Sequence, residues 1–219
     1  MKRKEVYEIL DSIKGVKGLI DVGCGDCSQL IQYTKIHPDS YHVGIDIKPI
    51  IKSLPDKVKA KIYVITADAR MLAIRNHVAS IITSTEVIEH FMEGEEFIEE
   101  ASRCLKNNGW IVIATPNRLS KLVKTIISRL LGISIHNPHV REYTIYEIKT
   151  ILKRHGVKTL CYKYIALDSY ALSRLSTPYI YSVLNGLFIF ESILAPILKW
   201  DFIVVGIEQK THKGMQQSK

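Results

Sequence analysis

The chain has 219 residues, 47% of them hydrophobic, and 30 Lys and Arg against 22 Asp and Glu give a formal charge of +8. That length suits one α/β domain burying roughly 70% of its unfolded surface. The mostly lysine excess reads first as a solvated surface, with an anionic membrane or nucleic acid as the sharper interpretation. Four scattered cysteines exclude a cystine-stapled secreted scaffold and point to a reduced, cytoplasmic protein.

Residues 3–13 predict a short amphipathic helix with Val6, Ile9, Leu10 and Ile13 on one face. The basic start Met1-Lys2-Arg3-Lys4 is broken by Glu5 and Glu8 and leads into no apolar signal core, which argues against secretion. Strands are expected near 18–22, 41–45, 61–65, 79–84, 109–114, 157–165 and 201–209, and helices over 27–36, 93–106 and 144–155. Such alternation predicts an α/β fold, a largely parallel sheet covered on both faces. No internal repeat interrupts it. One domain is expected over 1–210, with helical insertions at about 118–140 and 170–199 and a disordered tail at 211–219.

The first strand carries the most telling pattern. Leu19-Ile20-Asp21-Val22 runs into Gly23-Cys24-Gly25-Asp26-Cys27-Ser28 and then a helix. A strand, a Gly-x-Gly turn and a helix N-terminus make a nucleotide-binding corner. Asp21 suits a ligand bearing a sulfonium or an ammonium group. Dinucleotide dehydrogenases keep that position apolar, and Ser28 stands where their third glycine belongs, so that reading is set aside. The second strand ends in Asp46, about 20 residues past the turn, where an acid meets ribose hydroxyls. The third closes on Asp68. Three acids at successive strands make chance placement a poor explanation.

The pattern continues through Ser80-Ile81-Ile82-Thr83-Ser84-Thr85, Glu86-Val87-Ile88-Glu89-His90-Phe91, Leu105-Lys106-Asn107-Asn108-Gly109-Trp110-Ile111-Val112-Ile113 and Thr115-Pro116-Asn117. This order resembles the class I S-adenosylmethionine (SAM)-dependent methyltransferases, in particular the group that includes ubiquinone and menaquinone biosynthesis enzymes. The resemblance covers about Lys17 to Pro116 and resumes at His139-Val140-Arg141-Glu142-Tyr143-Thr144. It implies a Rossmann-like, seven-stranded, mostly parallel sheet of order 3-2-1-4-5-7-6, its last strand antiparallel, beneath a helical roof. It also implies roles. Gly23, Cys24 and Gly25 would admit the methionine portion of SAM, with Asp21 ordering its ammonium end and Thr85 closing that side. Asp46 would accept the ribose hydroxyls and Ile47 would lie against adenine. Asp68 would accept from the adenine amino group, with a backbone donor from Ala69. Cys27 departs from the family, which usually has a third glycine there. Cys24 and Cys27 spell Cys-x-x-Cys, but no second pair completes a zinc site.

The sulfonium is already an activated electrophile, so the protein mainly aligns nucleophile, methyl and sulfur. It also takes a proton when the acceptor is a hydroxyl. His139 is the leading general-base candidate, because an unperturbed histidine titrates near neutrality. His90 and Glu89 are the other catalytic candidates, and a purely structural role for His139 is the alternative. By resemblance to the quinone O-methyltransferases, Glu86, Glu89 and His90 could hold a divalent ion, often Mg2+, that acidifies the acceptor hydroxyl. Packing near the pocket without metal is the alternative. His136 precedes His139 by three residues, but Pro138 bars a helix and no third ligand follows. Arg141 and Tyr143 could bind an anionic or aromatic acceptor, or anchor the loop. Thr144 and Glu147 spell a capping box.

Two segments exceed what the sheet needs. Ser120 to Leu131 has the pattern of a basic amphipathic helix that can lie on anionic lipid, or pack its stripe into the core. Tyr179 to Leu198 approaches a membrane span in length. Asn185, Gly186, Glu191 and Pro196 make it a poor one, and Asp201 onward must return to the sheet. Both are read as a mobile roof over the substrate, able to touch the inner face of a membrane. The reading is thus a SAM-dependent methyltransferase acting on a hydroxyl of a small-molecule or lipid-like acceptor, yielding S-adenosylhomocysteine (SAH). An RNA (tRNA) methyltransferase fits the basic balance. However, strand four ends in Thr83-Ser84-Thr85-Glu86 instead of the Asn/Asp-Pro-Pro-aromatic loop of base-amino methylases. A non-catalytic SAM-binding partner subunit is the third reading.

Overall fold

The computed structural model describes residues 2–13, 18–50, 60–121, 125, 129, 139–165 and 201–209. Most of the expected roof, His136 and the 211–219 tail lie outside them. In chain order the elements are α1 (Lys2–Ser12), β1 (Ile20–Val22), α2 (Ser28–Ile36), β2 (His42–Asp46), β3 (Ile62–Thr66) and β4 (Ala79–Thr85). They continue as α3 (Glu95–Cys104), β5 (Leu105–Pro116), α4 (Ile145–Arg154), β6 (Val157–Ile165) and β7 (Asp201–Glu208). One-turn 3-10 helices cover Ile88–His90 and Arg118–Ser120. All seven strands join one sheet of order β3-β2-β1-β4-β5-β7-β6. β1 through β5 pair in parallel, and β7 runs antiparallel to both β5 and β6.

Alternation along each strand divides the core between the two faces of the sheet. Ile111 and Ile113 of β5 join Phe202 and Val204 of β7, beneath Phe97 and Ile98 of α3 and Ile148 and Leu152 of α4. Their neighbours Val112, Ile203 and Val205 meet Val6 and Leu10 of α1 and Leu30 of α2 on the other side. Each such side chain contributes roughly 1.5–3 kcal/mol by leaving water. The capping box expected at Thr144 and Glu147 is present in both directions and starts α4 at Ile145.

One boundary differs from expectation. α3 ends at Cys104 and β5 begins at once with Leu105, four residues before the expected start. Asn108 adopts φ 61°, so Asn108-Gly109 bends the strand without ending it. The pairing register with β4 shifts at that point. Gly109 is required by crowding, because a Cβ there would stand 2.9 Å from the Lys106 carbonyl and 3.0 Å from that of Ala79.

At the start of β2, fully buried His42 meets the Tyr33 ring edge-on at 5.2 Å, and Tyr33 lies 4.4 Å from the His37 ring. Burial lowers the His42 pKa from 6.5 to about 4; the nearby polar backbone of His37 opposes this and the His37 ring adds to it. A depressed folded-state pKa means that the stabilisation is complete above about 6.5 and is lost as pH falls toward 4. The total is on the order of 3 kcal/mol. The wild-type melting temperature is therefore expected to fall between pH 6.5 and 4.5, and His42→Phe to flatten that fall. An equal slope in both proteins would contradict the assignment.

Candidate active site

The turn after β1 is built on backbone that tolerates no side chain at its first residue. Gly23 has φ 78°, and a Cβ there would lie 2.1 Å from Val87 Cγ2. Its N–H and that of Cys24 both donate to the Ile45 carbonyl, at 2.7 and 3.1 Å. Gly25, at φ 50°, faces open space. Asp46, at the end of β2, ties this turn to its own loop. Its Oδ2 accepts from Gly25 N at 2.9 Å and its Oδ1 from Lys48 N at 2.8 Å. Cys27 holds φ 58°, a left-handed conformation that explains why a glycine is usual at that position. Its thiol donates to Cys24 Sγ at 3.8 Å inside the core. The pair leaves no room at Gly44, where a Cβ would meet Cys24 Sγ at 2.8 Å.

Beyond the carboxyl ends of β1, β2, β3 and β4 opens a cavity of about 450 Å³, lined among others by Gly23, Asp46, Ile47, Asp68 and Ala69. The structure thus gathers these expected cofactor residues into one site. Ile47 is 71% exposed at its edge. Asp21, Cys24, Gly25 and Thr85 do not line this cavity. Asp21 is buried, and Gln29 of α2 donates to its Oδ1 at 3.4 Å and to Thr83 Oγ1 at 3.2 Å. Thr85 Oγ1 in turn donates to Gln29 Oε1 at 3.4 Å. Gln29 therefore braces the floor beneath the glycine turn. Sequence reasoning missed it, although a polar residue on the inner face of α2 was its signal. Arg70 was missed as well. It lines the cavity and pairs with Asp68, and that hydrogen-bonded guanidinium holds the Asp68 carboxyl below its usual range.

Next to this cavity lies an acidic cluster around one imidazole. Glu86 closes β4 at φ 61°, its N–H donating to the Ala114 carbonyl. The following one-turn helix carries Glu89 fully inside the protein, where Thr115 Oγ1 donates to its Oε2 at 2.9 Å. The Glu89 carbonyl accepts from Val140 N and Arg141 N, both at 3.0 Å, and so seats the 139–143 segment against it. His139 then stands between two buried carboxylates. Its Nε2 is 3.9 Å from Glu89 Oε1 and its Nδ1 3.5 Å from Glu142 Oε1. Glu142 was not foreseen.

Among the described residues, Glu86, Glu89 and His139 each present a ligand atom within 4.8 Å of the others. His90, expected as the third member, instead lines the cavity beyond the β1–β4 ends, with its ring 5.9 Å from that of His139. A one-turn 3-10 helix aims neighbouring residues 89 and 90 to different sides, and the loop carrying His139 fills the gap. Tyr143 and Arg141 act as anchors. The Tyr143 hydroxyl accepts from Gly94 N at 2.8 Å and donates to the Phe91 carbonyl at 2.9 Å. Arg141 donates to the Met92 carbonyl and to Glu147.

A seven-stranded sheet of this order, a glycine turn after β1 and the carboxylates of Asp46, Asp68 and Glu86 lining one cavity are the arrangement of the class I SAM-dependent methyltransferases and support that reading of the chain. Residues 20–113 match the family described as Methyltransferase domain. The ubiquinone biosynthesis O-methyltransferase of Pelagibacter ubique is 32% identical over 132 residues, covering 58% of this chain and 52% of that protein. The chain thus aligns with about half the length of that relative. In overall fold it is similar to a SAM-dependent methyltransferase from Archaeoglobus fulgidus, with TM-score 0.63 and 18% identity over 94% of this chain and 92% of that one. It is also similar to the magnesium protoporphyrin IX methyltransferase of Synechocystis PCC 6803, solved with bound SAH, with TM-score 0.62 and 13% identity over 94% and 82%.

Proposed function

We propose that the protein moves the methyl group of SAM to a hydroxyl of a small-molecule or lipid-like acceptor. The observation that carries this reading is that Glu86 and His90 line the cofactor cavity, while Glu86 also belongs to the cluster around His139. A methyl donor and a proton acceptor thereby share one border. The O-methyltransferase activity for which the Pelagibacter ubique relative is named supports oxygen as the nucleophile. The lipid-like part rests on the apolar stretch 179–198 in the sequence. No helix among the described residues is long and apolar enough to cross a membrane.

SAM supplies an electrophilic methyl on a positive sulfur; the rest of the chemistry falls to the chain. Gly23, Cys24 and Gly25 give the methionine portion access to backbone, with Asp21 and Thr85, held through Gln29, on that side. Asp46 takes the ribose hydroxyls, Ile47 covers one adenine face, and Asp68 and Ala69 meet the purine edge. His139 receives the acceptor's proton at a ring nitrogen, and Glu89 and Glu142 stabilise the resulting imidazolium. His90, at the shared border, orients the acceptor.

The donor set of two carboxylates and one imidazole also fits a divalent cation held by Glu86, Glu89 and His139, with Glu142 bracing the imidazole from behind. Such an ion would acidify a nearby hydroxyl.

Incubation with methyl-labelled SAM, separate phenolic, polyprenyl-phenol and RNA acceptors, and EDTA tests the proposal. Label is expected as an ether on a phenolic acceptor and is expected to persist in EDTA. Label in RNA alone would overturn the acceptor class. Loss of label in EDTA, restored by Mg2+, would transfer the activating role from His139 to a metal. No label in any fraction despite SAH binding would leave a non-catalytic SAM-binding subunit.

A further inference from the structure

Arg70 takes no part in the roles above, yet it makes three hydrogen bonds to one carboxylate on the cavity wall. Its Nε donates to Asp68 Oδ1 at 3.1 Å, its Nη2 to Oδ2 at 2.7 Å, and its backbone N–H to Oδ1 at 2.8 Å. The guanidinium also lies over the Phe91 ring, 5.4 Å from its centroid, and Nη1 stands 3.8 Å from Glu96. Asp68, Arg70 and Phe91 line the same cavity as Asp46.

An ionised carboxylate offers about four lone-pair positions. Arg70 occupies two on Oδ1 and one on Oδ2, which leaves a single acceptor position, on Oδ2. The clamp also fixes the carboxylate plane and keeps the group ionised. The result is a reader for one N–H donor.

We propose that Arg70 is the positioning residue that sets purine selectivity, by clamping Asp68 so that the cavity accepts a 6-amino purine and rejects a 6-oxo purine. This rests on the reading that Asp68 meets the purine edge of the cofactor. A 6-amino group donates to the remaining Oδ2 position. A 6-oxo group sets an acceptor against an acceptor and leaves both unpaired, which a clamped site penalises heavily. Without the fork, the carboxylate turns about its own bond and can relieve that clash. Lysine does not replace the fork, since an ammonium is a point charge and cannot hold both oxygens in plane. Arg70 is half exposed, so its replacement leaves the core intact.

The test is calorimetric affinity for SAH and for S-inosylhomocysteine, its 6-oxo counterpart, on wild type, Arg70→Ala, Arg70→Lys and Asp68→Asn. Wild type is expected to prefer SAH by at least about tenfold. Arg70→Ala is expected to shrink that ratio several-fold, mainly through weaker SAH binding, with Arg70→Lys restoring little of it. Methyl transfer at saturating SAM is expected to stay within about twofold while KM for SAM rises. Equal weakening of both ligands in Arg70→Ala, or full recovery of the ratio in Arg70→Lys, would overturn the proposal and leave a general charge effect. An Asp68→Asn protein with an unchanged ratio would remove the purine-edge reading itself, and the proposal with it. A ratio that collapses in Asp68→Asn but not in Arg70→Ala would overturn only the role of Arg70.

Discussion

Replacing His139 with alanine is expected to reduce methyl transfer about a hundred- to thousandfold while SAH affinity stays within about twofold. The separation of the two effects follows from position. His139 lies among Glu86, Glu89 and Glu142, whereas the residues lining the cofactor cavity are held by the β1–β4 ends and their turns. The substitution removes the one group of that cluster able to carry the acceptor's proton as a cation. Glu89 and Glu142 are buried and face His139, so alanine also withdraws a partner from each. His139→Gln keeps polar contact on both sides and separates folding from chemistry. It is expected to melt near the wild-type temperature and to remain as inactive as the alanine variant. Wild-type turnover in His139→Gln would return this histidine to a structural role.

The second large effect belongs to Asp46. Its two carboxylate oxygens already order the turns on both sides, through Gly25 N and Lys48 N. On the proposed reading, their remaining lone pairs accept from the ribose hydroxyls. Charge-assisted hydrogen bonds contribute about 1.5–3 kcal/mol each. Loss of two in Asp46→Ala is therefore expected to weaken SAH binding by at least about a hundredfold. Asp46→Asn preserves shape and one acceptor oxygen, and is expected to fall between. Affinity unchanged in Asp46→Ala would show that the ligand lies elsewhere.

Much of the fold was legible because its signals are local. Apolar runs bounded by acids and glycines marked the strands, and Thr144 with Glu147 announced the start of α4. The strand order followed from resemblance and not from periodicity, which says nothing about which strands are neighbours. The early start of β5 escaped because Asn108-Gly109 carries the ordinary signature of a chain reversal. Here the bend is absorbed within a strand that pairs with β4 both before it, at Leu105, and after it, from Trp110 on.

In the site, Gly23, Asp46, Ile47, Asp68 and Ala69 were readable because each sits at a strand end, where topology brings ends together. Gln29 and Glu142 were not, because their partners lie on other elements or across a loop that bends the chain back. The convergence of His139 with Glu86 and Glu89 depends on backbone bonds from Val140 and Arg141 to the Glu89 carbonyl, which no side-chain pattern records. Cys27 is the opposite case. Its position two residues past the second glycine of the turn was visible, and the left-handed backbone there supplies the physical reason for the usual glycine.

Titration of the purified wild-type protein with SAH in a calorimeter tests the central claim most directly. Saturable heat from one site per chain, with an affinity at least about a hundredfold weaker in Asp46→Ala, is the expected result. The absence of any heat of binding in the folded wild-type protein would contradict the assignment of this cavity to an adenosyl cofactor.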